Sequence, residues 1–285
     1  MDMNTVTDIL QLTQSRQIGI KLSQKKDLKK IIGEIAEVAG FIWDKGWAER
    51  NAGNISVNVT HLVSPSDLSK LPAYPFIPLP REYPGLGQMV FLVSGTGTRM
   101  RDIKRKPLQN LCFVYISETG SAYHIIGMSD EPAQIKPTSE LAIHLAIHQM
   151  LIARNRPEKA VVHTHSTELV ALTHTPDFCS REAINSILWK MHPEALMYIP
   201  EGVGFVPFAR SGTESLAQAT VKALDGHNAA VWEKHGCMAL GNSVDQAFDT
   251  IDILAKSARI WFICKSAGFE PQGLTGDQMK EMREL

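Results

Sequence analysis

Cysteine is sparse in this chain of 285 residues. Cys112, Cys179, Cys237 and Cys264 are scattered, and no two of them form a C-x-x-C. That spacing argues against a thiolate zinc site and for reduced thiols in the cytoplasm, so any metal must be held by histidine and carboxylate. Long apolar runs are missing too. None approaches the ~18 residues that a membrane-spanning helix needs. Charge is nearly balanced, with 29 Lys and Arg against 30 Asp and Glu. A net charge of −1 gives no electrostatic reason to expect nucleic acid or an anionic membrane as partner. The start, Met1-Asp2-Met3-Asn4, has no basic segment leading into an apolar core, unlike a secretory signal. There is no G-x-x-x-x-G-K-[ST] and no G-x-G-x-x-G, which removes the P-loop and the dinucleotide fingerprint. Internal repeats and low-complexity tracts are also absent.

The composition, 44% apolar, is that of an ordinary soluble globular protein. Residues 1–25 read as an arm or short helix and 26–285 as a single domain. In 26–45, Leu28, Ile31, Ile32, Ile35, Val38, Ala39, Ile42 and Trp43 recur at helical spacing, with Gly46 as a stop. Ile55, Val57 and Val59 alternate with polar residues as a half-buried strand does. Residues 61–88 are proline-rich and read as an irregular excursion. Further strands are expected at 90–94, 112–116, 122–126, 160–163, 196–199 and 229–233. Helices are expected at 139–153, 166–174, 181–190, 213–226 and 243–267. Strands and helices interleave, so the class is mixed α/β in one domain. Connections such as that between 112–116 and 122–126 are too short for a helical crossover, which implies a largely antiparallel central sheet flanked by helices.

The most informative stretch is His163-Thr164-His165, which closes the apolar run Ala160-Val161-Val162. In a strand, residues i and i+2 face the same way, so both imidazoles point to one side. A third histidine, His235, also ends an apolar run, Ala229-Ala230-Val231-Trp232. Three imidazoles with an open position make a catalytic rather than a structural zinc arrangement. An H-x-H alone reads equally well as two packed or surface histidines.

Three loops could cradle a phosphate: Asn51-Ala52-Gly53-Asn54, Ser94-Gly95-Thr96-Gly97 and Pro137-Thr138-Ser139. Glycines let backbone N–H groups approach an anion, and hydroxyls and a helix start add donors. Each of them reads more simply as a turn. Glu140 follows the third loop in the first turn of the expected helix, where an acid commonly complements the helix dipole. Glu140, His144 and His148 share one helical face and form a rival metal site. The apolar surroundings Leu141, Ile143, Leu145 and Ile147 fit satisfied buried histidines better. Glu194 stands alone before the expected strand 196–199, and His174 and His192 have no partner pattern.

The order of these features resembles the class II, zinc-dependent aldolases that cleave sugar phosphates, a family shared with fuculose-phosphate aldolase and ribulose-phosphate 4-epimerase. The likeness runs from about residue 30 to about residue 268. Gly46-Trp47-Ala48-Glu49-Arg50-Asn51, the excursion at 61–88, Leu188-Trp189 and Pro200-Glu201-Gly202-Val203-Gly204 point to the members that cleave L-rhamnulose 1-phosphate. The resemblance implies one Zn2+ per subunit on His163, His165 and His235, and Glu140 as catalytic acid/base. It implies Glu194 as a second catalytic carboxylate donated by a neighbouring subunit of a homotetramer. It places Asn51, Gly53, Asn54, Thr96, Gly97, Thr138 and Ser139 around the phosphate. The products would be dihydroxyacetone phosphate and L-lactaldehyde, the partners small sugar phosphates, and the location the cytoplasm. Fuculose-phosphate cleavage, pentulose-phosphate 4-epimerisation and a non-catalytic adducin-like domain are the alternatives. The last should lack the metal ligands that this chain keeps.

Overall fold

Among the described residues nine strands form one sheet, because the chain supplies short runs of β-branched and apolar residues separated by turns. In the computed structural model, which describes the backbone of residues 3–69, 71, 76–129 and 135–283, they are β1 (Asn54–Asn58), β2 (Ile77–Pro78), β3 (Val90–Ser94), β4 (Leu111–Ile116), β5 (Ala122–Gly127), β6 (Ala160–Thr164), β7 (Gly204–Val206), β8 (Ala229–Trp232) and β9 (Gly236–Gly241). Their spatial order is β2-β5-β4-β3-β1-β6-β9-β8-β7. Every pairing is antiparallel except β7 with β8, and the short connections of β4 to β5 and β8 to β9 allow no other arrangement for those two pairs.

Alternation along the strands divides the core into two layers. Ile55, Val57, Val90, Leu92, Ala160, Val162, Val231 and Ala239 face one side, under the helices Lys26–Asp44 and Val244–Ser266. Phe91, Val93, Val161, Ala230, Trp232 and Met238 face the other, under the helices Leu141–Ala153 and Glu214–Ala223. The helix Lys26–Asp44 buries Leu28, Ile32, Ile35, Val38, Ala39 and Ile42, the stripe its spacing announced.

The N-terminal segment is a 21-residue helix, Met3–Ser23. Its Ile18 and Leu22 join the first core layer, and Ser15 Oγ lies 2.8 Å from the buried His124 Nε2 on β5. The excursion at 61–88 holds a one-turn helix, Pro65–Leu68, with a capping box between Ser64 and Asp67. Residues 70 and 72–75 within it lie outside the described residues.

Two expectations need correction. Residues 196–199 are not a strand, because Pro193–Tyr198 is helical. A short apolar run cannot distinguish helix from strand by periodicity. Here Pro193 opens the helix with a preset φ, and Glu194 in the first turn suits its dipole. The helix expected from 139 begins at Leu141, with Glu140 in the cap position rather than inside the first turn. Strand β9 was not anticipated. It is buried along its whole length, so it shows no polar alternation.

Candidate active site

The antiparallel register gathers one end of five central strands. Asn54 at the start of β1 pairs with His163 near the end of β6. Thr164 pairs with Cys237 at the start of β9, and Trp232 at the end of β8 pairs with Gly236. Beside β1 ends β3, whose Ser94 Oγ accepts from the Ile55 amide at 3.0 Å. The third loop joins at the same end. Gly95 and Pro137 form a bridge, and the Thr138 amide donates to Ser94 O at 2.9 Å.

His163 and His165 leave β6, and His235 sits in the turn between β8 and β9. Their ring centroids are 4.9–5.3 Å apart, and one nitrogen of each lies within 4.8 Å of the others. Among the described residues this is the one group of three or more ligating side chains able to hold a metal ion. The Glu140/His144/His148 alternative is thereby set aside. His144 and His148 are instead buried and hydrogen-bonded to Ser56 Oγ, at 2.7 and 2.8 Å.

The cluster fits a divalent metal in its chemistry as well as its geometry. His163 Nδ1 donates to Cys237 O at 2.9 Å, and His165 Nδ1 donates to Glu49 Oε1 at 2.7 Å. Each bond fixes a tautomer with a free Nε2, the usual outer support of ligating histidines. Burial lowers His163 to about 3, and burial with the neighbouring His165 lowers His235, so both imidazoles are neutral at pH 7. Close approach depends on Gly236, where a Cβ would stand 2.5 Å from Thr164 O and 3.1–3.2 Å from the His165 and His163 rings. Lys234, beside His235, takes a left-handed backbone with φ 58°.

Glu140 is 6% exposed and projects into the same cleft. Its Oε1 accepts from Ser211 Oγ at 2.5 Å and its Oε2 from Asn54 Nδ2 at 2.8 Å, while His163 Nε2 lies 3.7 Å away. Burial pushes the carboxyl up, but the hydrogen bonds from Ser211 and Asn54 outweigh it and hold Glu140 below the usual carboxylate range. Ser211 was not anticipated. It lies some 70 residues downstream of Glu140 in an unremarkable turn, and nothing in its spacing signals the contact.

A cleft of about 330 Å³ joins these groups to the loops. It is lined by Asn51, Gly53, Asn54, Thr96, Gly97, Thr138 and Ser139 together with Glu140 and the three histidines. Gly53 turns at φ 82°, and a Cβ there would meet His163 O at 3.0 Å. Arg50, preceding the first loop, is also left-handed at φ 53° and lines the cleft. Asn54 differs from the other loop residues, because its side-chain amide is engaged by Glu140 and His144. Glu194 is not among the cleft residues. Its carboxylate is half exposed and 2.9 Å from His192 Nε2, near the exposed Met197 and Tyr198.

Residues 33–262 match the sequence profile of the family described as Class II Aldolase and Adducin N-terminal domain. The chain is 41% identical over 261 residues to a rhamnulose-1-phosphate aldolase of Bacteroides thetaiotaomicron, covering 92% of this chain and 96% of that one. It is 32% identical over 232 residues to a rhamnulose-1-phosphate aldolase of Listeria welshimeri, covering 80% and 81%. Among solved structures, a sugar-phosphate aldolase from Thermotoga maritima superposes with a TM-score of 0.69 at 33% identity, covering 87% of this chain and all of that one.

Proposed function

Because the chain belongs to the class II aldolase and adducin N-terminal domain family, we propose that it is a zinc-dependent aldolase that reversibly cleaves L-rhamnulose 1-phosphate to dihydroxyacetone phosphate and L-lactaldehyde. The observation that carries this reading is the convergence of three imidazoles, one buried carboxylate and three donor-rich loops on a single cleft. A non-catalytic adducin-like module would have no use for that donor set. The substrate rests on the two aldolase relatives, both described as acting on rhamnulose 1-phosphate.

His163, His165 and His235 would hold the zinc. When bound, it supplies a Lewis acid for the negative charge left on the dihydroxyacetone phosphate half as the C3–C4 bond breaks. The loop residues Asn51, Gly53, Thr96, Gly97, Thr138 and Ser139 bind the phosphate and orient the reacting end. Asn54, also in the first loop, holds Glu140 with its side chain. The C4 hydroxyl gives up its proton to Glu194 of a neighbouring copy as C4 becomes the aldehyde carbon. Glu140 takes up a proton from solvent and delivers it to C3, completing dihydroxyacetone phosphate, while Glu194 returns the C4 hydroxyl proton to solvent. In the reverse direction Glu140 removes that proton. Glu194 in this role requires an assembly of copies, which we take to be a homotetramer. Its exposed position beside Met197 and Tyr198, outside its own chain's cleft, supports that arrangement. Four free thiols suit a reducing compartment, and we place the enzyme in the cytoplasm.

The test is an assay of purified enzyme with L-rhamnulose 1-phosphate, coupling dihydroxyacetone phosphate to NADH oxidation, with and without chelator. Chelator-sensitive cleavage is expected. A metal-loaded protein that leaves this substrate intact but cleaves L-fuculose 1-phosphate would overturn the substrate assignment, and one that cleaves no ketose phosphate would overturn the reaction.

A further inference from the structure

Behind Glu140 runs a line of buried polar side chains that the reaction above does not use. Ser56, on β1, is 1% exposed; His144 and His148, one turn apart on the helix Leu141–Ala153, are 0% and 1% exposed. Ser56 Oγ is 2.7 Å from His144 Nδ1 and 2.8 Å from His148 Nε2. His144 Nε2 bonds Asn54 Oδ1, and Asn54 Nδ2 reaches Glu140 Oε2 at 2.8 Å. Four hydrogen bonds thus connect the interior of the helix layer to one oxygen of the carboxylate.

Donor and acceptor roles along this line are determined from its open end. A carboxylate oxygen only accepts, so Asn54 must present its NH2 to Glu140 and its carbonyl oxygen to His144. His144 then carries its proton on Nε2 and has a lone pair on Nδ1, which must be met by the Ser56 hydroxyl proton. The remaining capacity of Ser56 Oγ is as an acceptor, so His148 donates from Nε2. Reversing one member leaves two donors or two acceptors face to face at its own bond, and only reversing the whole line would turn the Asn54 oxygen toward the carboxylate, again acceptor against acceptor.

We propose that Ser56, His144 and His148 form a one-directional hydrogen-bond chain that locks the orientation of the Asn54 amide, and through it the aim of Glu140 for proton transfer at C3. They are positioning residues, since none of them lines the cleft. The chain explains why an otherwise apolar helix carries two buried histidines at i, i+4 opposite a strand serine. It rests on the reading that Glu140 exchanges a proton with C3, and its test separates the two.

The experiment uses the zinc-loaded full chain with dihydroxyacetone phosphate in D2O and no aldehyde. Glu140 should exchange one C3 proton for deuterium, followed by NMR. In Ser56→Ala the His144 tautomer is released and the Asn54 amide can turn. The exchange rate per bound zinc should fall about 10-fold, the scale of one hydrogen bond to a charged group. The half-saturating concentration should stay within about twofold, because the phosphate loops are untouched. A second readout needs neither zinc nor folding of a variant: imidazole 15N shifts of the metal-free wild type should show His144 and His148 both protonated on Nε2. Exchange in Ser56→Ala equal to wild type at equal zinc content, or a His144 proton on Nδ1, would overturn the proposal. A wild type that does not exchange would instead overturn the role of Glu140, and the tautomers would still decide the chain.

Discussion

Replacing Glu140 with glutamine isolates the carboxylate's chemistry from its packing. The two side chains have the same shape. Glutamine can keep its carbonyl oxygen on Asn54 Nδ2, 2.8 Å away, and turn its NH2 toward Ser211 Oγ, which then accepts instead of donating. No buried polar atom is orphaned. The stability cost is the difference between two charge-assisted hydrogen bonds and two neutral ones, about 1–2 kcal/mol in all. The metal ligands keep their supports, Cys237 O for His163 and Glu49 for His165. On the role proposed for Glu140, turnover loses the group that carries a proton to C3, and removing a general acid/base typically costs 10²–10⁴-fold in kcat. The assay measures kcat and KM for cleavage together with zinc content and thermal midpoint. A correctly folded, zinc-loaded Glu140→Gln that turns over at more than about a tenth of the wild-type rate would refute the acid/base role. Loss of zinc from this variant would refute the placement of Glu140 apart from the metal ligands.

Three further expectations concern the metal supports and the fold. Glu49→Gln weakens the bond that orients His165 and should lower zinc affinity about 10-fold, whereas His235→Ala removes a ligand and should lower it far more; competition with a chelating dye checks both, and equal affinities would refute the ligand assignment. Gly19→Ala would normally help a helix by up to about 1 kcal/mol, but its Cβ would stand 2.0 Å from Gly127 O, so the thermal midpoint should fall, and a rise would show that the N-terminal helix is not docked on β5. Burial pushes the Asp67 carboxyl up, yet the Lys25 ammonium and the Ser64 hydroxyl and amide outweigh it and hold it at about 2. A depressed carboxyl contributes stability fully above its unfolded pKa and loses it as pH falls through the folded value. Asp67→Asn should therefore cost about 1 kcal/mol at pH 6, allowing for solvent screening at the part-exposed Lys25, and progressively less from pH 4 to pH 2; a cost that persists unchanged at pH 2 would refute the pairing.

Local pattern determined much of this protein. The 3.6-residue stripe of Leu28 to Ile42 dictated a helix with one buried face. The i, i+2 spacing of His163 and His165 at a strand end put two imidazoles on one side before any partner was known. The short connection between 112–116 and 122–126 dictated one antiparallel pair. Where pattern was symmetric or silent, the tertiary structure decided. The run at 196–199 took its helical form from Pro193 and from burying Leu196, and wholly buried β9 carried no alternation to read. His235 reaches the other two histidines because β9 runs beside β6 and Gly236 leaves room for their rings, a pairing between segments some 70 residues apart. Ser211 reaches Glu140 from a turn without any periodic signal. Asn54, one of a run of loop residues in sequence, turns away from its neighbours to hold Glu140 because His144 waits on the other side of its amide. Sequence periodicity records which face of an element meets the core, since burial acts on each residue as the chain repeats. It does not record which distant element supplies the facing atom, because that depends on the register and order of the strands.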